Sequence, residues 1–595
     1  MTMEPPTLTE KESIAREKYL TELPKLGEDP NQQSLGTLIE HWGKERSDKI
    51  GLYFEDESYT WGQINDECNA VSNYFRSIGL EPGDIIALIH ENSPEYIFLT
   101  VGVNKIQGVS ALINLNQRKQ ALVHAIEIVS PKWIIIGDEK FLEFFDEIVD
   151  ELSINKENIF VFKNSGKKQH KYLDLSIKLK SSPKENPSTT HNSKLADTAE
   201  YIYTSGTTGL PKAVIIPNWA FPFNGLYYGS CFAHLDSNDV IYSVTPLYHS
   251  LGQCTAWGNA AYAGSTLALA KRFSVSNYWN DIRKYKVSVA FYIGEIPRYL
   301  LNRPPTDQDK NHTLKKLIGL GLRKEIWLEF KSRFNIEHIY EYYSSTEGFG
   351  PLVNFDEVPG MIGRNTNPNS AIAKVDIETG ELIKTEEGFL IICTSGDTGM
   401  SLLKIEDPEN YTKYRDNEKT KQRLIQNVFE TGDAYFKTFD FLKLHDDHWV
   451  SFADRFGDTF RWKGENVSTL EVENILDTHE MVLSSAVYGV SIPGTEGKAG
   501  MASLMVESAS NIDIDTVSKF ISDSLPKYSI PVFLRIRETL ALTGSYKITK
   551  VGLKREGYDI GKIKDQIYCW DVSNKKYIPF DTDLYEQVKT AKLKF

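Results

Sequence analysis

Short apolar runs alternate with helix-like segments along the first part of the chain. Residues 85–89 (Ile-Ile-Ala-Leu-Ile) and 133–136 (Trp-Ile-Ile-Ile) are unbroken apolar runs of strand length, with amphipathic stretches between them. Unbroken apolar runs are typical of strands that are covered on both faces. The alternation from about Trp42 to Ile136 therefore predicts an α/β fold with parallel strands.

A polar segment interrupts this pattern at residues 163–198. It contains Asn164-Ser-Gly-Lys-Lys-Gln-His-Lys and a proline-bearing run from Ser181. This composition is typical of a surface loop, so we expect a flexible connector here. Its lysines could instead contact an anionic membrane surface. Strand-like and helix-like segments resume from Tyr201 to about Phe452.

The pattern changes again after Ala453. A polar, glycine-containing segment ends at Ser468-Thr-Leu-Glu471, which has the spacing of a capping box before an apolar-periodic run. Residues 486–490 and 501–506 are predicted strands, and residues 517–525 a predicted helix. We therefore predict a large, multi-lobed N-terminal domain over residues 1–453 and a small, hinged α+β domain over residues 454–595.

The strongest chemical signal lies at residues 201–212, between two apolar runs that are predicted strands. Glycines allow close backbone approach and positive φ, and hydroxyl groups donate to the acceptor-only oxygens of a polyphosphate. The pattern predicts a strand, a phosphate-binding loop and a second strand. The residues predicted to bind phosphate are Thr204, Ser205, Gly206, Thr207, Thr208, Gly209 and Lys212.

This loop differs from the P-loop of NTPases, in which Gly-x-x-x-x-Gly-Lys-Ser/Thr opens a helix. Counted from Gly206, Pro211 stands where the second glycine belongs, and Ala213 where the metal-binding hydroxyl belongs. The sequence therefore favours a phosphate loop of another kind, with a purely structural hairpin turn as the alternative.

The loop resembles the phosphate-binding signature of the adenylate-forming superfamily, which contains acyl-CoA synthetases, luciferases and peptide-synthetase adenylation domains. Other short motifs of the superfamily follow in the same chain order. The resemblance implies that residues 1–453 form an adenylation domain, that the C-terminal domain is mobile, and that ATP, Mg²⁺ and CoA are bound.

Tyr343-Ser-Ser-Thr-Glu347 follows a strand-like stretch and resembles the superfamily motif Tyr-Gly-x-Thr-Glu. The resemblance implies metal binding by Glu347, phosphate contact by Thr346 and adenine stacking by Tyr343. A carboxylate beside a hydroxyl also suits Mg²⁺, which favours one or two carboxylates plus substrate oxygens. Ser344 departs from the motif, because the family usually has glycine there.

Thr431-Gly-Asp433 resembles the ribose-binding motif, in which the acid accepts hydrogen bonds from both ribose hydroxyls. An ordinary surface turn is the alternative, and the similar Ser395-Gly-Asp-Thr-Gly399 is interpreted as a turn without function. Asp454 and Arg455 resemble the hinge pair. The resemblance implies that Asp454 is the pivot and Arg455 a second ribose contact, with a surface ion pair as the alternative.

Two further motifs complete the series. Thr245-Pro-Leu-Tyr-His249 resembles the loop that brings a ring near the carboxylate and nucleotide, so His249 is a candidate catalytic residue; a buried histidine that caps a helix is the alternative. Lys547 resembles the adenylation lysine that enters the active site when the small domain closes, and it suits charge growing at the α-phosphate. Lys550 is the competing candidate.

Longer segments resemble one branch of the superfamily, the fatty acid transport protein/very-long-chain acyl-CoA synthetase family. They are residues 292–301, 319–323, 454–468 and 486–500. The implied activity is ATP-dependent CoA thioesterification of a long or very long acyl chain. Gly319 is a predicted nucleotide contact, and Gly464 would leave room for the pantetheine arm of CoA.

The acyl substrate is less well defined. Residues 250–270 are rich in small side chains, which would line a pocket for a long chain or serve helix packing. Three functions are therefore considered: a long- or very-long-chain acyl-CoA synthetase, a CoA ligase for a branched, bile-acid-like or aromatic acid, and a lipid-binding or transport accessory with weak activity.

Composition narrows the partners and the compartment. The formal net charge of −14 argues against a nucleic-acid binder. Five scattered cysteines form no metal or disulfide pattern, which favours a reducing compartment. No secretory leader or membrane span is expected, so membrane association would be peripheral. The C-terminal Leu593-Lys-Phe595 matches a peroxisomal signal only at its middle residue, which leaves the peroxisome, the endoplasmic-reticulum surface and the cytosol open.

Overall fold

The computed structural model of the chain describes residues 7–162, 171–205, 210–348, 352–376, 379–455, 458–462, 465–495, 497–543 and 548–593. These residues form two large, mainly parallel sheets, one antiparallel sheet and a C-terminal α+β region. The predicted fold class is confirmed.

Sheet 1 contains the apolar runs predicted as strands. From edge to edge its strands are Leu173–Asp174, Ile159–Val161, Trp133–Ile136, Ile85–Ile89, Val109–Leu112, Thr198–Ser205 and Pro211–Pro217. All neighbours are parallel except the last two, which form an antiparallel hairpin. The strands Ile85–Ile89 and Trp133–Ile136 are buried along their whole length, as expected when both faces of a parallel sheet are covered.

Sheet 2 lies on the other side of a shared core. Its strands follow in the order Leu352–Val353, His338–Tyr343, Lys316–Leu320, Val289–Ile293, Val240–Ser243, Thr266–Leu269, Ile50–Phe54 and Glu57–Thr60. Pairing is parallel inside the sheet and antiparallel at both edges. The carboxyl end of His338–Tyr343 delivers the predicted Tyr-Ser-Ser-Thr-Glu motif.

A single helix shows how the two sheets are joined. Pro94–Asn104 is buried at all but one of its positions and begins at Ser93, whose side chain accepts the N–H of Tyr96. Ile97, Leu99 and Val101 belong to the hydrophobic cluster that contains residues of both sheets. A helix that is apolar on every side is stable only when it is enclosed in this way.

Sheet 3 is antiparallel. Its strands follow in the order Gly363–Arg364, Trp449–Arg455, Ala434–Leu444, Thr398–Lys404 and Ser370–Lys374, and Leu424–Gln426 pairs with Ala434–Leu444. The predicted domain boundary between residues 453 and 454 falls inside Trp449–Arg455. The chain therefore remains in sheet 3 up to Arg455.

The C-terminal region builds a core of its own from residues between 460 and 588. A hairpin pairs Phe460–Trp462 with Glu465–Val467. The main sheet runs Ser484–Val490, Ala499–Met505, Phe533–Arg537, Gln566–Asp571 and Lys576–Pro579. Ser468 caps the helix Thr469–Leu476 by accepting the N–H of Glu471, and Ile514–Ser524 is helical. The predicted cap, strands and helix are confirmed within one to three residues.

The helices cover the sheets. Outside the C-terminal region they are Glu10–Glu28, Leu35–Glu45, Trp61–Ser77, Pro94–Asn104, Lys119–Glu127, Leu142–Asp146, Leu175–Lys180, Ala220–Asn224, Gly258–Ala263, Tyr278–Lys284, Glu295–Leu301, Lys324–Arg333 and Asn417–Lys421. Two segments have the wider π-helical turn, Gly225–Phe232 and Leu251–Trp257. Val551–Glu556 and Thr582–Lys589 complete the C-terminal region. None of the helices in the described ranges is long and apolar enough to span a bilayer.

The second half of the predicted connector is packed structure. Leu173–Asp174 extends sheet 1, and the following helix buries Leu175 and Leu179. Asn186 accepts hydrogen bonds from the side-chain amides of Asn65 and Asn69 at 2.9 and 2.8 Å. The prediction of a flexible surface loop is therefore wrong for this part, because two buried leucines and an edge strand fix it. Residues 163–170 lie outside the described residues.

Candidate active site

The predicted phosphate loop connects the two strands of the edge hairpin of sheet 1. Thr204 lies opposite Lys212 and Ser205 opposite Pro211 in the antiparallel register. The predicted strands are confirmed, and the loop leads into a strand rather than a helix, which excludes the P-loop of NTPases. Gly206, Thr207, Thr208 and Gly209 lie outside the described residues, so their phosphate contacts stay predictions.

Glu347 is buried and already has partners. Its Oε1 accepts a hydrogen bond from Tyr414 Oη at 2.6 Å and lies 3.5 Å from Arg423 Nη1. The Arg423 guanidinium lies over three aromatic rings, at 5.2 to 5.6 Å from their centroids, those of Tyr414, Phe436 and Phe439. The rings hold Arg423 beside Glu347 through cation–π contacts.

Two lysines add to the positive charge near Glu347. Lys212 extends over the Tyr414 ring, 5.4 Å from its centroid. Burial lowers the pKa of Lys212; the Arg423 charge lowers it further and Glu347 opposes this. Burial also lowers the pKa of Lys413, to about 8, again opposed by Glu347. Lys413, Tyr414 and Arg423 were missed from the sequence, because their contacts with Glu347 bridge more than 60 residues and follow no local motif.

Tyr343 meets an acid that the sequence motifs did not indicate. Its Oη donates to Asp440 Oδ2 at 2.7 Å. Asp440 lies directly opposite Arg455 in sheet 3, so the backbone brings the predicted ribose contact Arg455 to the same place. The residue before Asp440 is Phe439, with φ of 63°. A bulky residue in the left-handed region is strained, and strain of this kind clusters at functional sites.

Asp433 does not take part in this arrangement. Its carboxylate accepts the backbone N–H groups of Val428, Phe429 and Glu430 and so closes its own turn. The turn interpretation of Thr431-Gly-Asp433 fits these hydrogen bonds, and the ribose contact of Asp433 stays a prediction. The only signal for Asp440 is the spacing of Thr438-Phe-Asp440, which is obscured by Phe439 at the position where the motif has glycine. Asp397 likewise accepts the N–H of Thr394 in its own turn.

The His249 loop and Thr346 meet at the cleft. Ser250 Oγ lies 3.3 Å from Thr346 Oγ1. Asn92 fixes the loop, because its Nδ2 donates to the Thr245 carbonyl at 3.1 Å and its Oδ1 accepts the N–H of Leu247 at 2.8 Å. The His249 ring is half-buried beside the Tyr248 ring.

An open cleft extends from Thr346. Its walls come partly from the two π-helical segments, through Tyr228, Cys254 and Thr255. Ser250 and Leu251 also line it, whereas Ala256, Ala260 and Ala261 are buried in the core. The first part of residues 250–270 therefore lines a cleft and the second serves packing, while its role as a pocket for a long acyl chain stays a prediction.

Two more predicted residues are Ser344, which lines the cleft, and Gly319, which precedes the lining residue Leu320. Ser344 lines the cleft, and its hydroxyl interacts with Tyr228. Gly319 lies inside the strand Lys316–Leu320, where an added Cβ would be 2.2 Å from the Tyr292 carbonyl oxygen. This close strand approach requires glycine, while its nucleotide contact stays a prediction.

Two of the segments that resemble the transport protein family, residues 292–301 and 319–323, contact Glu341 and the C-terminal region. The Tyr292 hydroxyl and the Gly321 N–H both donate to Glu341. Burial raises the pKa of Glu341 to about 8. Arg298 and Arg323 both bind Asp477, which follows the helix Thr469–Leu476.

The structure describes two of the candidate residues near and within the C-terminal region, Asp454 and Lys550. Asp454 Oδ2 accepts hydrogen bonds from Thr459 Oγ1 at 2.9 Å and from the N–H of Thr469 at 3.0 Å, which ties the end of sheet 3 to the next helix. Lys550 Nζ is 2.8 Å from both Thr469 Oγ1 and Glu473 Oε1, so this alternative to Lys547 is held inside the C-terminal region. Lys547 and Gly464 lie outside the described residues.

Comparisons with known proteins identify the family to which the chain belongs. Residues 39–401 match the family model of the AMP-binding enzymes, and residues 471–547 match that of the AMP-binding enzyme C-terminal domain. The chain belongs to the AMP-binding enzymes and, within them, to the family of the long-chain fatty acid transport proteins.

Two relatives and one solved structure show how similar the chain is to known proteins. Long-chain fatty acid transport protein 2 of Rattus norvegicus is 36% identical over 557 residues, which cover 91% of this chain and 88% of that protein. The medium/long-chain-fatty-acid–CoA ligase FadD6 of Mycobacterium tuberculosis is 30% identical, with 95% and 92% covered. The anthranilate CoA ligase AuaEII in complex with anthranoyl-AMP shares the fold, with a TM-score of 0.74 and 21% identity over 88% of this chain and 96% of that one.

Proposed function

We propose that this protein is an ATP-dependent ligase that activates a long or very long chain fatty acid as an acyl-adenylate and transfers it to CoA. The observation that carries the proposal is the cleft with apolar walls that ends at Thr346, next to the cationic surroundings of Glu347. Relatives with at least 30% identity bear the names of fatty acid transport proteins and a fatty-acid–CoA ligase.

The reaction has two balanced steps. A carboxylate oxygen of the acid attacks the α-phosphorus of ATP, the bond to the β-phosphate oxygen breaks, and pyrophosphate leaves. The CoA thiolate then attacks the acyl carbonyl of the adenylate, and AMP leaves as acyl-CoA forms. Each step places negative charge on phosphate oxygens, which preorganised cations and N–H donors stabilise.

The nucleotide would lie across the edges of sheets 1, 2 and 3. We assign the β- and γ-phosphates to the hairpin loop with Thr204, Ser205 and Lys212, and the adenine to Tyr343. Asp440 replaces Asp433 as the proposed ribose acid, with Arg455 opposite it. Thr346 and His249 would face the reacting carboxylate and the α-phosphate.

Glu347 fits a Mg²⁺ ion that arrives with ATP. It is one buried carboxylate beside a threonine hydroxyl, and Mg²⁺ usually takes one or two carboxylates and completes its shell with substrate phosphates and water. Within the described ranges no group of three or more His, Cys, Asp or Glu could hold a metal by itself. When bound, the ion would neutralise charge on the phosphate oxygens.

The C-terminal region would change its orientation between the two steps. We propose that Lys547 contacts the α-phosphate during adenylation and that rotation about Asp454 then brings Gly464 to the pantetheine arm of CoA. Lys547→Ala is expected to abolish adenylate formation while sparing thioester formation from supplied acyl-AMP. Unchanged overall activity would contradict this assignment.

We also propose that the protein acts at the surface of the endoplasmic reticulum or the peroxisome, or in the cytosol, with only peripheral membrane attachment. Long acyl chains partition into bilayers, so a peripheral position would bring the enzyme to its substrate. Co-sedimentation with anionic and neutral liposomes tests the attachment.

The test of the function is pyrophosphate release over a panel of carboxylates, with and without CoA. The panel contains straight-chain acids of medium to very long length, branched acids, bile acids and aromatic acids. Release that is greatest with long straight-chain acids supports the proposal. A preference for ring acids would favour a ligase for another carboxylate, and no release with any acid would favour an accessory role.

A further inference from the structure

Lys413 is the charged side chain of the cleft. It is 9% exposed, and it is the one charged residue among the described residues that line the cleft. Its backbone is fixed against the phosphate hairpin, since its carbonyl accepts the N–H of Ile215 at 2.9 Å and its own N–H donates to Thr420 Oγ1 at 3.2 Å. The position of Lys413 is therefore set by the same hairpin that carries the phosphate loop.

The ammonium group of Lys413 has no fixed counter-ion. Within the described part of the chain, no carboxylate oxygen lies within 4 Å of its Nζ, and no hydrogen bond is made by that atom. Glu347, which attracts it, is bound by Tyr414 and Arg423. An added Cβ on Gly348 would lie 3.6 Å from Nζ, so this position borders the amine. A buried charge without a partner is costly, which points to a partner that arrives with the ligand.

The chemistry of an acyl substrate supplies that partner. A fatty acid places its chain along apolar side chains such as Phe223, Leu251 and Cys254, and these cannot compensate the carboxylate. The carboxylate must lie near Thr346 to react at the α-phosphorus. Arg423 is already held by Glu347 and by aromatic rings, and Lys212 lines a separate depression with His124 and Asp416.

We propose that Lys413 is a substrate-binding residue whose ammonium group pairs with the carboxylate of the acyl substrate in the cleft before adenylation. The inference rests on the proposed function, because it takes the cleft to be the acid site. It assigns to the chain a residue that selects acids over neutral lipids of the same length.

The experiment compares binding of palmitate and hexadecan-1-ol to the full-length protein without ATP. The variants are Lys413→Met, which keeps the length of the side chain, and Lys413→Arg, which keeps the charge. Lys421→Met is the matched control, because Lys421 is exposed and pairs only with Glu418. Each variant is checked by thermal melting, and Lys413→Gln replaces Lys413→Met if the latter does not fold.

We expect Lys413→Met to weaken palmitate binding about 10- to 100-fold, the value of a hydrogen bond to a charged group. Hexadecan-1-ol binding and the KM for ATP should stay within twofold of wild type, and Lys413→Arg should retain most of the preference for the acid. An equal loss for acid and alcohol would overturn the proposal in favour of a packing role. A raised KM for ATP with unchanged acid binding would overturn it in favour of a phosphate contact.

The same preparation separates this inference from the function itself. If wild type releases pyrophosphate with palmitate and Lys413→Met keeps the preference for the acid, the role of Lys413 is wrong and the ligase function stands. If wild type releases no pyrophosphate with any acid of the panel, the proposed function fails, and the inference fails with it.

Discussion

Two clusters of carboxylates and cations in this molecule differ in the balance of their charges. Asp477 and Glu295 face Arg298 and Arg323, so that two carboxylates balance two guanidinium groups. Glu347 faces Arg423, Lys212 and Lys413, and Asp416 and Lys419 lie near Lys212, so that four cations face two carboxylates in this group of described residues. The first cluster is neutral, whereas the second has an excess of positive charge.

The difference separates a structural cluster from a binding site. The Asp477 cluster joins residues of the large region to the residue after the helix Thr469–Leu476, and no further ligand is needed to balance it. The cluster around Glu347 borders a cleft and a phosphate hairpin, and its excess charge suits ATP and a fatty acid. We therefore interpret the unbalanced group of charges as the proposed anion-binding site.

Breaking the balanced cluster should give the largest loss of stability. Asp477→Asn removes a buried carboxylate and leaves two buried arginines with Glu295 alone, at an expected cost of about 3–5 kcal/mol. The midpoint of urea-induced unfolding measures it. Asp56→Asn is the control, since Asp56 forms a solvent-exposed pair with Lys284 and such pairs add little to stability. Equal midpoints for the two variants would contradict the structural role of Asp477.

Neutralising the centre of the unbalanced cluster should affect catalysis as well as stability. Glu347→Gln is expected to lower the rate of pyrophosphate release about 100- to 1,000-fold, as for the loss of one charge-stabilising group in other enzymes, and to lower the unfolding midpoint, because it leaves the guanidinium of Arg423 without its carboxylate partner. Glu418→Gln, at an exposed position, should retain full activity. A Glu347→Gln enzyme within threefold of wild type would remove Glu347 from the proposed chemistry.

The two candidate ribose acids offer a sharper contrast. Asp440→Asn should raise the KM for ATP about 10-fold or more, because it weakens a charge-assisted hydrogen bond to the nucleotide. Asp433→Asn should lower stability and leave the KM for ATP unchanged, since Asp433 accepts only N–H groups of its own turn in the structure. The reverse pattern would restore the motif-based assignment of Asp433.

Another carboxylate, that of Glu200, has no ion-pair partner among the described residues and should respond to pH. Glu200 is fully buried, accepts a hydrogen bond from Gln253 at 2.6 Å, and has its pKa raised to about 8 by burial. The folded protein therefore keeps a proton that the unfolded chain loses above its ordinary pKa. Stability should fall as pH rises between about 5 and 8, by up to about 1.4 kcal/mol per pH unit.

Glu200→Gln should remove the contribution of Glu200 to this slope, whereas Glu341, whose pKa burial also raises to about 8, keeps its own; the variant therefore becomes more stable relative to wild type as pH rises. Unfolding midpoints measured at several values between pH 5 and 8 test it, with Glu418→Gln as the control that keeps the wild-type slope. A constant difference between Glu200→Gln and wild type across this range would show that the carboxyl group does not titrate there.

The features that could be predicted from the sequence are those that depend on residues close together in the chain. The apolar runs Ile85–Ile89 and Trp133–Ile136 and the cap at Ser468 are recognisable because each depends on neighbouring residues only. The helix Leu175–Lys180 was missed because the polar residues inside it, Ser176, Lys178 and Lys180, alternate with apolar ones. This alternation obscures the helical spacing of Leu175 and Leu179. The sequence indicated Asp433 as the ribose acid and missed Asp440, because a short motif carries no information on which acid faces Tyr343.

The remaining site residues depend on the packing of whole sheets. Lys413 and Tyr414 reach Glu347 only because their segment pairs with the strand Pro211–Pro217 of sheet 1, as the contact between Val214 and Tyr414 shows. Nothing in the residues around position 413 indicates this. Charge balance in the folded protein was needed to distinguish these residues from ordinary surface lysines and arginines.

The central claim is that the unbalanced cluster and its cleft perform adenylation. Single-turnover incubation of the protein with ATP and palmitate, first without and then with CoA, tests it most directly by identifying the products by mass spectrometry. We predict palmitoyl-AMP and pyrophosphate in the first stage, and palmitoyl-CoA with AMP after CoA is added. Formation of ADP and phosphate, or no acyl-AMP with any acid of the carboxylate panel, would contradict it.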